Sequence, residues 1–352
     1  MKSICLSLFA ALMASAAGAS QRVFDAADFG ALPDFAVDST AAFQAAVDRA
    51  AADGGGRVVV SKAGEYKSYT VFLKSNVTFE IGSGVTLKGG EDGRSYPDFP
   101  PSELWNWNRT SRLNRRQMFY ACGMTNVVLC GHGTIDGNGA PFHELVEGRW
   151  RRKSDTEITG RTVFFVCCGD VRVEDVTIAN PAGWSTWFLD CDRVVCDRVR
   201  VRANPDLPNG DGLHFGGCRD TVVRNCDIDA MDDALVLRSH QEAMKVPHAM
   251  ERFLVTNCTF RSRRHSAIRI GWAHDYAIRD GLVVDCRFPE SRLGLQFRMP
   301  EIRLRNGFWR DPPRYPGVLE PLARETLPFS VEKVVFRNLD IRSSGRPFEV
   351  FI

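Results

Sequence analysis

A short motif recurs along the chain: two or three β-forming residues, an Asp or Asn, and then another apolar pair. The copies are VRVEDVTI (171–178), RVVCDRVRV (193–201), TVVRNCDI (221–228), FLVTNCTF (253–260), LVVDCRF (282–288) and VVFRNLDI (334–341). The shared Asp or Asn falls at 175, 197, 225, 257, 285 and 338, so the intervals are 22, 28, 32, 28 and 53 residues. We interpret each of the first four intervals as one structural turn and the last as two turns of about 26 residues.

Short strands that recur every ~20 to 30 residues, with turn residues between them, indicate a β-solenoid. Leucine-rich repeats need regularly spaced Leu, and a β-sandwich usually places a turn every ~8 to 12 residues without this self-alignment. We therefore predict an all-β chain folded as a parallel β-helix, whose turns stack about 4.8 Å apart. Segments 76–89 and 126–137 extend the pattern toward the N-terminus.

Six cysteines keep a fixed place relative to the repeats. They are Cys168, Cys191 and Cys218, which precede a repeat by two or three residues, and Cys226, Cys258 and Cys286, which follow the shared Asp or Asn. Stacked inward thiols behave as small buried hydrophobes, although an oxidising compartment would also permit one or two disulfides. No C-x-x-C or H-x₃-H pair occurs in the sequence, so we expect no metal and no cofactor.

The first 19 residues are typical of a secretory signal peptide. Lys2 precedes a mostly apolar run from Ile4 to Ala14, and Ala17-Gly18-Ala19 has the small-residue pattern of a cleavage site. No other stretch approaches ~20 consecutive apolar residues. We expect a soluble, secreted or periplasmic monomer that begins near Ser20, without a membrane anchor.

The net charge, the domain layout and the last residues of the sequence lead to further predictions. The net charge is +2, with no dense Lys/Arg block, so nothing favours binding to nucleic acid. Residues 20–352 read as a single β-helix domain with long loops at 90–116 and 300–328. The last ten residues, 343–352, lie inside what reads as another turn. We therefore expect the gene product to be short, or a partner to cover this end.

One segment near the N-terminus has the pattern of a helix instead. Residues 38–52 are rich in Ala, with Ser39 or Thr40 as cap candidates, and the glycines at 54–56 stop the helix. We expect this helix to plug the N-terminal end of the solenoid, which would otherwise expose an edge. Its apolar stripe includes Phe43, Val47 and Ala50 or Ala51.

The adjacent aspartates Asp232 and Asp233 stand just before the apolar run of AMDDALVLR (230–238), where a charge leaves water at a cost. Asp211 lies 21 and 22 residues earlier, which is about one turn. Three carboxyls on one face raise one another's pKa, so at least one should stay protonated near neutral pH. A protonated carboxyl beside ionised ones is the requirement for glycoside hydrolysis.

The next two turns add His265, placed to orient a carboxylate, and Arg298, whose fork suits a substrate carboxylate. Each feature alone has a plainer explanation: an Asp pair can cap a turn or bind a structural cation, and a lone His or Arg is more often structural. Chemistry-capable residues on successive turns favour a site. Nearby basic residues make an anionic substrate the better fit; they are Arg238, Arg263, Arg264 and Arg269.

Three segments carry a family resemblance. GTIDGNGAPF (133–142), Asn209-Gly210-Asp211-Gly212 and Asp232-Asp233 resemble the polygalacturonases of glycoside hydrolase family 28, which are pectin-degrading right-handed parallel β-helix enzymes. The resemblance implies that Asp232 is the general acid that protonates the leaving oxygen. It also implies that Asp211 and Asp233 hold and activate the attacking water, with inversion at the anomeric carbon.

Two other family motifs are altered in this chain. Arg264-His265-Ser266 stands where G-H-G is expected, and Gln296-Phe297-Arg298 stands where R-I-K is expected to grip a uronate carboxylate. A pectic or related acidic glycan remains the implied substrate. The implied substrate contacts are Arg298, Gln296, Asn209 and Arg264, with Trp272, Trp184 and Tyr315 as aromatic candidates.

Two other functions fit parts of the pattern. A polysaccharide lyase on the same scaffold would use Ca²⁺ and an Arg or Lys base and would release an unsaturated product. A non-catalytic glycan-binding solenoid would not require Asp211 at one-turn spacing. The carboxylate triad with His265 therefore favours hydrolysis, and endo or exo attack depends on the loops at 90–116 and 299–328.

Overall fold

The computed structural model describes residues 22–106, 116–153, 161–240, 243–272, 275–298, 330–342 and 345–351. The predicted signal peptide, the loop predicted at 300–328 and Tyr315 lie outside these residues. No described helix is long and apolar enough to span a membrane. Within the described ranges, the helices are the 3₁₀ turns Ala26–Phe29, Gly93–Ser95 and Ala140–Phe142 and the α-helix α1, Thr40–Ala52.

The parallel strands form the three faces of a right-handed β-helix, as predicted; we call these faces sheets A, B and C, although A and B join through β25 into one 17-stranded sheet. Sheet A contains β1 (Val23–Asp25), β2 (Gly56–Val60), β5 (Val77–Ile81), β8 (Thr125–Cys130), β13 (Gly169–Glu174), β16 (Asp192–Asp197), β19 (Arg219–Arg224), β22 (Met250–Thr256), β25 (Ala277–Phe288) and β27 (Ser330–Ile341).

Sheet B contains β3 (Gly64–Ser68), β6 (Val85–Gly89), β9 (Thr134–Asp136), β14 (Thr177–Ala179), β17 (Arg200–Arg202), β20 (Asp227–Ala230) and β23 (Thr259–Ser262). Sheet C contains β4 (Val71–Phe72), β7 (Gln117–Cys122), β12 (Arg161–Val166), β15 (Thr186–Leu189), β18 (Leu213–Gly216), β21 (Leu235–Arg238), β24 (Ser266–Ile270), β26 (Leu293–Arg298) and β28 (Arg346–Phe351). An antiparallel hairpin, β10 (His143–Val146) and β11 (Arg149–Arg152), interrupts one turn.

The core consists of inward side chains stacked from turn to turn. On sheet A, in-register pairing stacks Val173, Cys196 and Val223, and each is fully buried. The prediction that the cysteines form core ladders is confirmed, because all six motif cysteines are buried. The described cysteines are all free thiols, so the disulfide alternative is wrong for residues 122–286.

The shared Asp or Asn of the repeat marks the bend from sheet A into sheet B. Asp175, Asn225 and Asn257 have φ of 64°, 57° and 51°, a left-handed conformation that Asn and Asp accept more readily than other side chains. For one repeat, the alignment predicted from the sequence is wrong by one residue. Asp197 is still in strand β16, and Arg198, with φ of 53°, takes the left-handed position.

The interpretation of the 53-residue interval as two turns is also wrong. Strands β25 and β27 pair directly, and the Asn338 side-chain amide donates a hydrogen bond to Asp285 Oδ1 at 2.6 Å. Residues 285 and 338 are therefore on adjacent rungs, so the 53-residue interval corresponds to one turn.

A second left-handed column runs along the start of sheet A, and its charges alternate in sign. Its last six members, in rung order, are Asp170, Arg193, Asp220, Arg252, Asp280 and Lys333. Arg193 pairs with Asp170 at 2.6 Å, and Arg252 pairs with Asp220 at 2.8 Å. Each residue thus has opposite charges on its neighbouring rungs.

The predicted capping helix is present and buries its predicted stripe. Phe43, Val47 and Ala50 are fully buried, and the Phe43 ring packs 6.0 Å from Phe79 of β5. Ser39 is the N-cap residue, but its side chain does not cap the helix. Asp38 provides this bond instead, because its Oδ1 accepts from the backbone N–H of Thr40 at 2.9 Å.

The outer face of sheet C is covered along its first turns. Residues 99–106 and 243–244 pack there and form a second hydrophobic cluster with the outward side chains of the sheet. We call it the outer cluster; its buried members are Phe99, Trp105, Tyr120, Phe164, Val166, Trp187, Leu189, Ala243 and Met244. The described part of the predicted 90–116 loop thus lies over one face, as expected.

We predict that Asn257→Val lowers the free energy of unfolding by about 1–3 kcal/mol, because a β-branched residue is strained at positive φ. The substitution also removes the Asn257 amide bond to Asn225 Oδ1, 2.8 Å long. Urea unfolding followed by fluorescence measures the change. Asn257→Gly is the matched control, since it loses the same bond without the strain, and equal effects of the two variants would contradict this account.

Candidate active site

Three carboxyls meet where the chain enters sheet C. Asp211 lies just before β18, and Asp233 lies just before β21. Because Leu213 pairs with Leu235, Asp211 and Asp233 occupy equivalent positions on adjacent rungs, about 4.8 Å apart along the helix axis. The predicted one-turn spacing of the carboxyls is therefore the observed arrangement.

Asp211 is buried beside a histidine. Its Oδ2 lies 3.0 Å from His214 Nε2, and its Oδ1 is buried with no hydrogen-bond partner among the described residues. Burial raises the pKa of Asp211 well above its usual value, and the charges of Asp232 and Asp233 raise it further. Oδ1 is therefore a buried acceptor that a water molecule could satisfy.

Asp233 is fully buried and has a charged partner. Its Oδ1 accepts the backbone N–H of Ser266 at 3.0 Å, and its Oδ2 forms an ion pair with the Arg269 guanidinium. A buried carboxylate needs such compensation, because an isolated charge in the interior is costly. Arg269 therefore makes an ionised Asp233 compatible with this position.

Asp232 is the one carboxyl of the three that reaches solvent. Its side chain is 18% exposed, against 3% for Asp211 and none for Asp233. Burial and then the charge of Asp233 raise the pKa of Asp232, while His265 and Arg269 oppose this rise. His265 Nε2 lies 3.8 Å from Asp232 Oδ1, on the rung where the sequence predicted it.

A cleft of about 310 Å³ reaches His265, whose Nε2 lies 3.8 Å from Asp232 Oδ1. It is lined by Arg264, His265, Arg292, Leu293, Gln296, Arg298, Gly345, Arg346 and Glu349. Four arginines face one glutamate here, so the cleft is basic. This charge favours an anionic ligand.

Gln296 and Arg298, the altered family positions, have different surroundings. Gln296 is buried; its Oε1 accepts from Ser266 Oγ at 3.1 Å, and its Nε2 donates to Glu349 Oε2 at 2.7 Å. The Arg298 guanidinium lies 4.1 Å from the centre of the Trp272 ring. Burial, followed by the charge of Arg269, lowers the pKa of Arg298.

The remaining residues predicted to contact the substrate lie in several parts of the site. Asn209 is exposed with φ of 60°, in the turn before Asp211, and Arg264 lines the cleft. The guanidinium groups of Arg298 and Arg269 both lie over the Trp272 ring, and that of Arg269 is 4.6 Å from the ring centre. Trp184 stacks on the His214 ring at 3.7 Å, so it supports the histidine that contacts Asp211.

Donor atoms of Asp232, Asp233 and His265 lie within 4.8 Å of one another and could approach a metal ion. The Arg269 guanidinium and the Ser266 N–H already engage both oxygens of Asp233. A cation would have to compete with that fixed positive charge, so the donor set fits a metal poorly.

Sequence reasoning missed three residues that build the site: His214, Ser266 as a hydrogen-bond donor, and Glu349. His214 could have been found, because it follows Asp211 by three residues, on the strand β18 that begins just after Asp211. Glu349 carried no signal, since only the pairing of β26 with β28 brings it beside Gln296.

Comparisons with known proteins bear on the family and the fold of the chain. The sequence model described as glycosyl hydrolases family 28 matches residues 57–257. A probable polygalacturonase from Vitis vinifera is 22% identical over 277 residues, 77% of this chain and 56% of that protein.

Two solved structures share the fold. The family 28 exopolygalacturonase of Yersinia enterocolitica has a TM-score of 0.67 at 18% identity, covering 93% of this chain and 67% of that one. The endo-xylogalacturonan hydrolase of Aspergillus tubingensis has a TM-score of 0.59 at 13% identity, covering 94% and 95%. The chain spans about half the length of the curated relatives it matches.

We predict that Asp211→Asn raises the urea midpoint at pH 7. The pKa of such a carboxyl is higher in the folded chain than in the unfolded chain. As pH rises from the unfolded-state pKa toward the folded-state pKa, the carboxyl therefore destabilises the fold. The variant removes this loss, so its advantage should shrink as pH falls toward 4.

Asp227→Asn is the control of opposite sign. Burial alone would raise the pKa of Asp227, but Arg261 and Arg202 lower it on balance. Asp227 therefore stabilises the fold above its unfolded pKa, and its replacement should lower the midpoint at pH 7. A lower midpoint for Asp211→Asn as well would contradict the assignment of a raised pKa to Asp211.

Proposed function

Because this chain belongs to glycosyl hydrolases family 28, we propose that it hydrolyses glycosidic bonds of a pectic or related acidic polysaccharide, with inversion. Residues 20–352 act as one catalytic domain in this proposal. Residues 1–19 direct export and are removed, and the mature protein works outside the cytoplasm as a monomer.

One observation carries the proposal: a partly exposed carboxyl of raised pKa stands beside two buried carboxyls and 3.8 Å from His265, which lines a basic cleft. Asp232 is the group that can reach a bound sugar, so it gives its proton to the glycosidic oxygen as that bond breaks. A water held by Asp211 and Asp233 attacks the anomeric carbon from the opposite side. One of these carboxylates accepts the proton that the water loses.

The neighbours of the carboxyls keep these roles distinct. Arg269 forms an ion pair with Asp233, and His214 fixes the orientation of Asp211. His265 stands 3.8 Å from Asp232 and can return a proton to it after each turnover. Neighbouring carboxyls with different environments are the usual basis for dividing acid and base roles.

The substrate class follows from the cleft. Gln296 is neutral and is tied to Ser266 and Glu349, so it cannot form the ion pair that an arginine there would form. Arg298, with Arg264 nearby, is then the side chain that pairs with a uronate carboxylate. A lyase would instead need a cation site and a basic residue as proton acceptor, where this chain has three carboxyls and His265.

We predict that Asp232→Asn lowers kcat on polygalacturonate by about 10²- to 10⁴-fold, the usual contribution of a general acid. Reducing ends and absorbance of unsaturated ends are measured together. Asp229→Asn is the matched control; Asp229 is on strand β20 of the same turn and pairs with Arg263 at 3.4 Å, outside the carboxyl cluster. Unsaturated product from the wild type would show that the enzyme is a lyase and not a hydrolase. Equal activity of the two variants would contradict the role of Asp232.

We predict that Arg298→Ala raises KM for polygalacturonate by about tenfold or more, because a charge-assisted hydrogen bond contributes roughly 1.5–3 kcal/mol. The effect should largely disappear on fully methyl-esterified substrate, which lacks the carboxylate. Arg279→Ala is the control, since Arg279 pairs with Glu251 on sheet A and does not line the cleft. An equal loss on esterified and free substrate would remove Arg298 from carboxylate recognition.

A further inference from the structure

The hairpin β10–β11 presents two large apolar side chains to solvent. Leu145 is 60% exposed and Trp150 is 39% exposed. They stand directly opposite each other on the two strands of the hairpin. Single exposed apolar residues are ordinary on a protein surface, but an aromatic and an aliphatic side chain paired across two strands form a small continuous apolar surface. Such a surface suits a ligand with one apolar face.

The turn of the hairpin fixes which face carries this pair. The two loop residues, Glu147 and Gly148, have φ of 50° and 74°, and positive φ at both central positions defines a type I′ turn. This turn sets the register in which Leu145 meets Trp150. A slip of one residue would move every side chain of a strand to the other face of the hairpin, so the turn determines where Trp150 points.

The alternation of side chains along the strands places Leu145 and Trp150 on the same face as His143 and Arg152, the pair at the base of the hairpin. The remaining four strand residues belong to the opposite face; they are Glu144, Val146, Arg149 and Arg151. The hairpin therefore has one face with an apolar pair above His143 and Arg152, and one face that is mostly charged.

The face with the apolar pair is turned toward the catalytic turn. The buried ring of His143 lies against the backbone of Pro208, in the turn before Asp211. Arg152 is close enough for its charge to act on the Asp211 carboxyl. Trp150 is two residues further along the strand than Arg152, a distance of about 7 Å. It therefore stands near the carboxyls without belonging to their cluster.

The base of the hairpin is held firmly to the β-helix. Phe142 is buried, and its carbonyl oxygen accepts the backbone N–H of Lys153 at 3.1 Å. The Nδ1–H of His143 donates to Gly139 O at 2.8 Å, and the Gly139 N–H donates to Asn180 O at 2.9 Å. A surface that is already fixed before binding loses little conformational entropy when a ligand arrives.

The surroundings of Trp150 favour a sugar of acidic character. An indole ring offers a large, flat apolar surface with few rotatable bonds, and the C–H face of a pyranose ring is its natural partner. Trp150 is flanked along β11 by Arg149 and Arg151, and Arg152 follows. The positive charge of this strand suits an anionic glycan better than a neutral one.

We propose that the Leu145–Trp150 face of the hairpin β10–β11 is a further sugar-binding site, where Trp150 stacks on a pyranose ring of the acidic polysaccharide while another part of the same glycan chain lies at the carboxyls. The inference rests on the proposed hydrolytic function and adds a binding residue to it. Trp150 is remote from the bond that breaks, so it binds the substrate and the transition state equally. Its removal should therefore raise KM with little change in kcat.

The first experiment measures binding without turnover. Polygalacturonate is titrated calorimetrically into the Asp232→Asn variant and into the same variant carrying Trp150→Ala, Trp150→Phe or Val146→Ala. We expect Trp150→Ala to raise Kd by about 3- to 10-fold, the usual range for an aromatic contact, and Trp150→Phe to restore most of the affinity. Val146→Ala is the matched control, because it shortens an apolar side chain on the opposite face of the same hairpin.

Two results of this titration would overturn the sugar-binding site. One is an unchanged Kd for Trp150→Ala. The other is an equal loss for Val146→Ala, which would attribute the effect to the stability of the hairpin. Urea midpoints of the four proteins show whether each variant is folded.

The second experiment measures KM and kcat of the wild type and of Trp150→Ala on oligogalacturonides of increasing length. The rise in KM should grow with chain length, because only longer chains reach both the carboxyls and Trp150. An equal rise at every length would overturn the inference and leave the hydrolase intact. No reducing ends from the wild type on any acidic glycan would instead overturn the proposed function, and this inference with it.

Discussion

The in-register pairing of β18 with β21 is the constraint on which the rest of the site depends. It places Asp211 and Asp233 at equivalent buried positions one rung apart, where two carboxylates repel strongly. Arg269 pairs with one and His214 contacts the other. Burial raises the pKa of Asp232, at the solvent side, and the charge of Asp233 raises it further, while His265 and Arg269 oppose this rise. The backbone register of the solenoid thus brings together the carboxyls of the site and the groups that shift the pKa of Asp232.

Much of this arrangement could be predicted from the sequence, because a solenoid converts spacing along the chain into proximity in space. The one-turn interval between Asp211 and Asp233, and the rungs of His265 and Arg298, follow from it directly. Spacing along the chain does not predict the stacking register where turns differ in length. The repeat at residue 197 is offset because Arg198, a residue type that seldom takes positive φ, makes the bend. The 53-residue interval misled because length alone does not separate two turns from one long turn.

The part of the site that departs from the family pattern depends on contacts that no local motif encodes. Gln296 is neutral, but its surroundings are specific: Ser266 Oγ on the preceding rung and Glu349 on the following one. Glu349 in turn pairs with Arg346. A polar network whose members satisfy one another is rigid. Gln296 therefore belongs to a fixed wall of the cleft, which is also lined by Arg264, Arg292, Arg298 and Arg346.

The alternating column Asp170, Arg193, Asp220, Arg252, Asp280 and Lys333 has a consequence for assembly of the chain. Turns of a β-helix resemble one another, so a growing stack can pair a turn with the wrong neighbour. Skipping one rung in this column would set Asp against Asp or Arg against Arg. Each exposed ion pair is weak by itself, yet the order of signs penalises every such skip. The column therefore favours stacking of the turns in their correct order, because like charges meet whenever one turn is skipped.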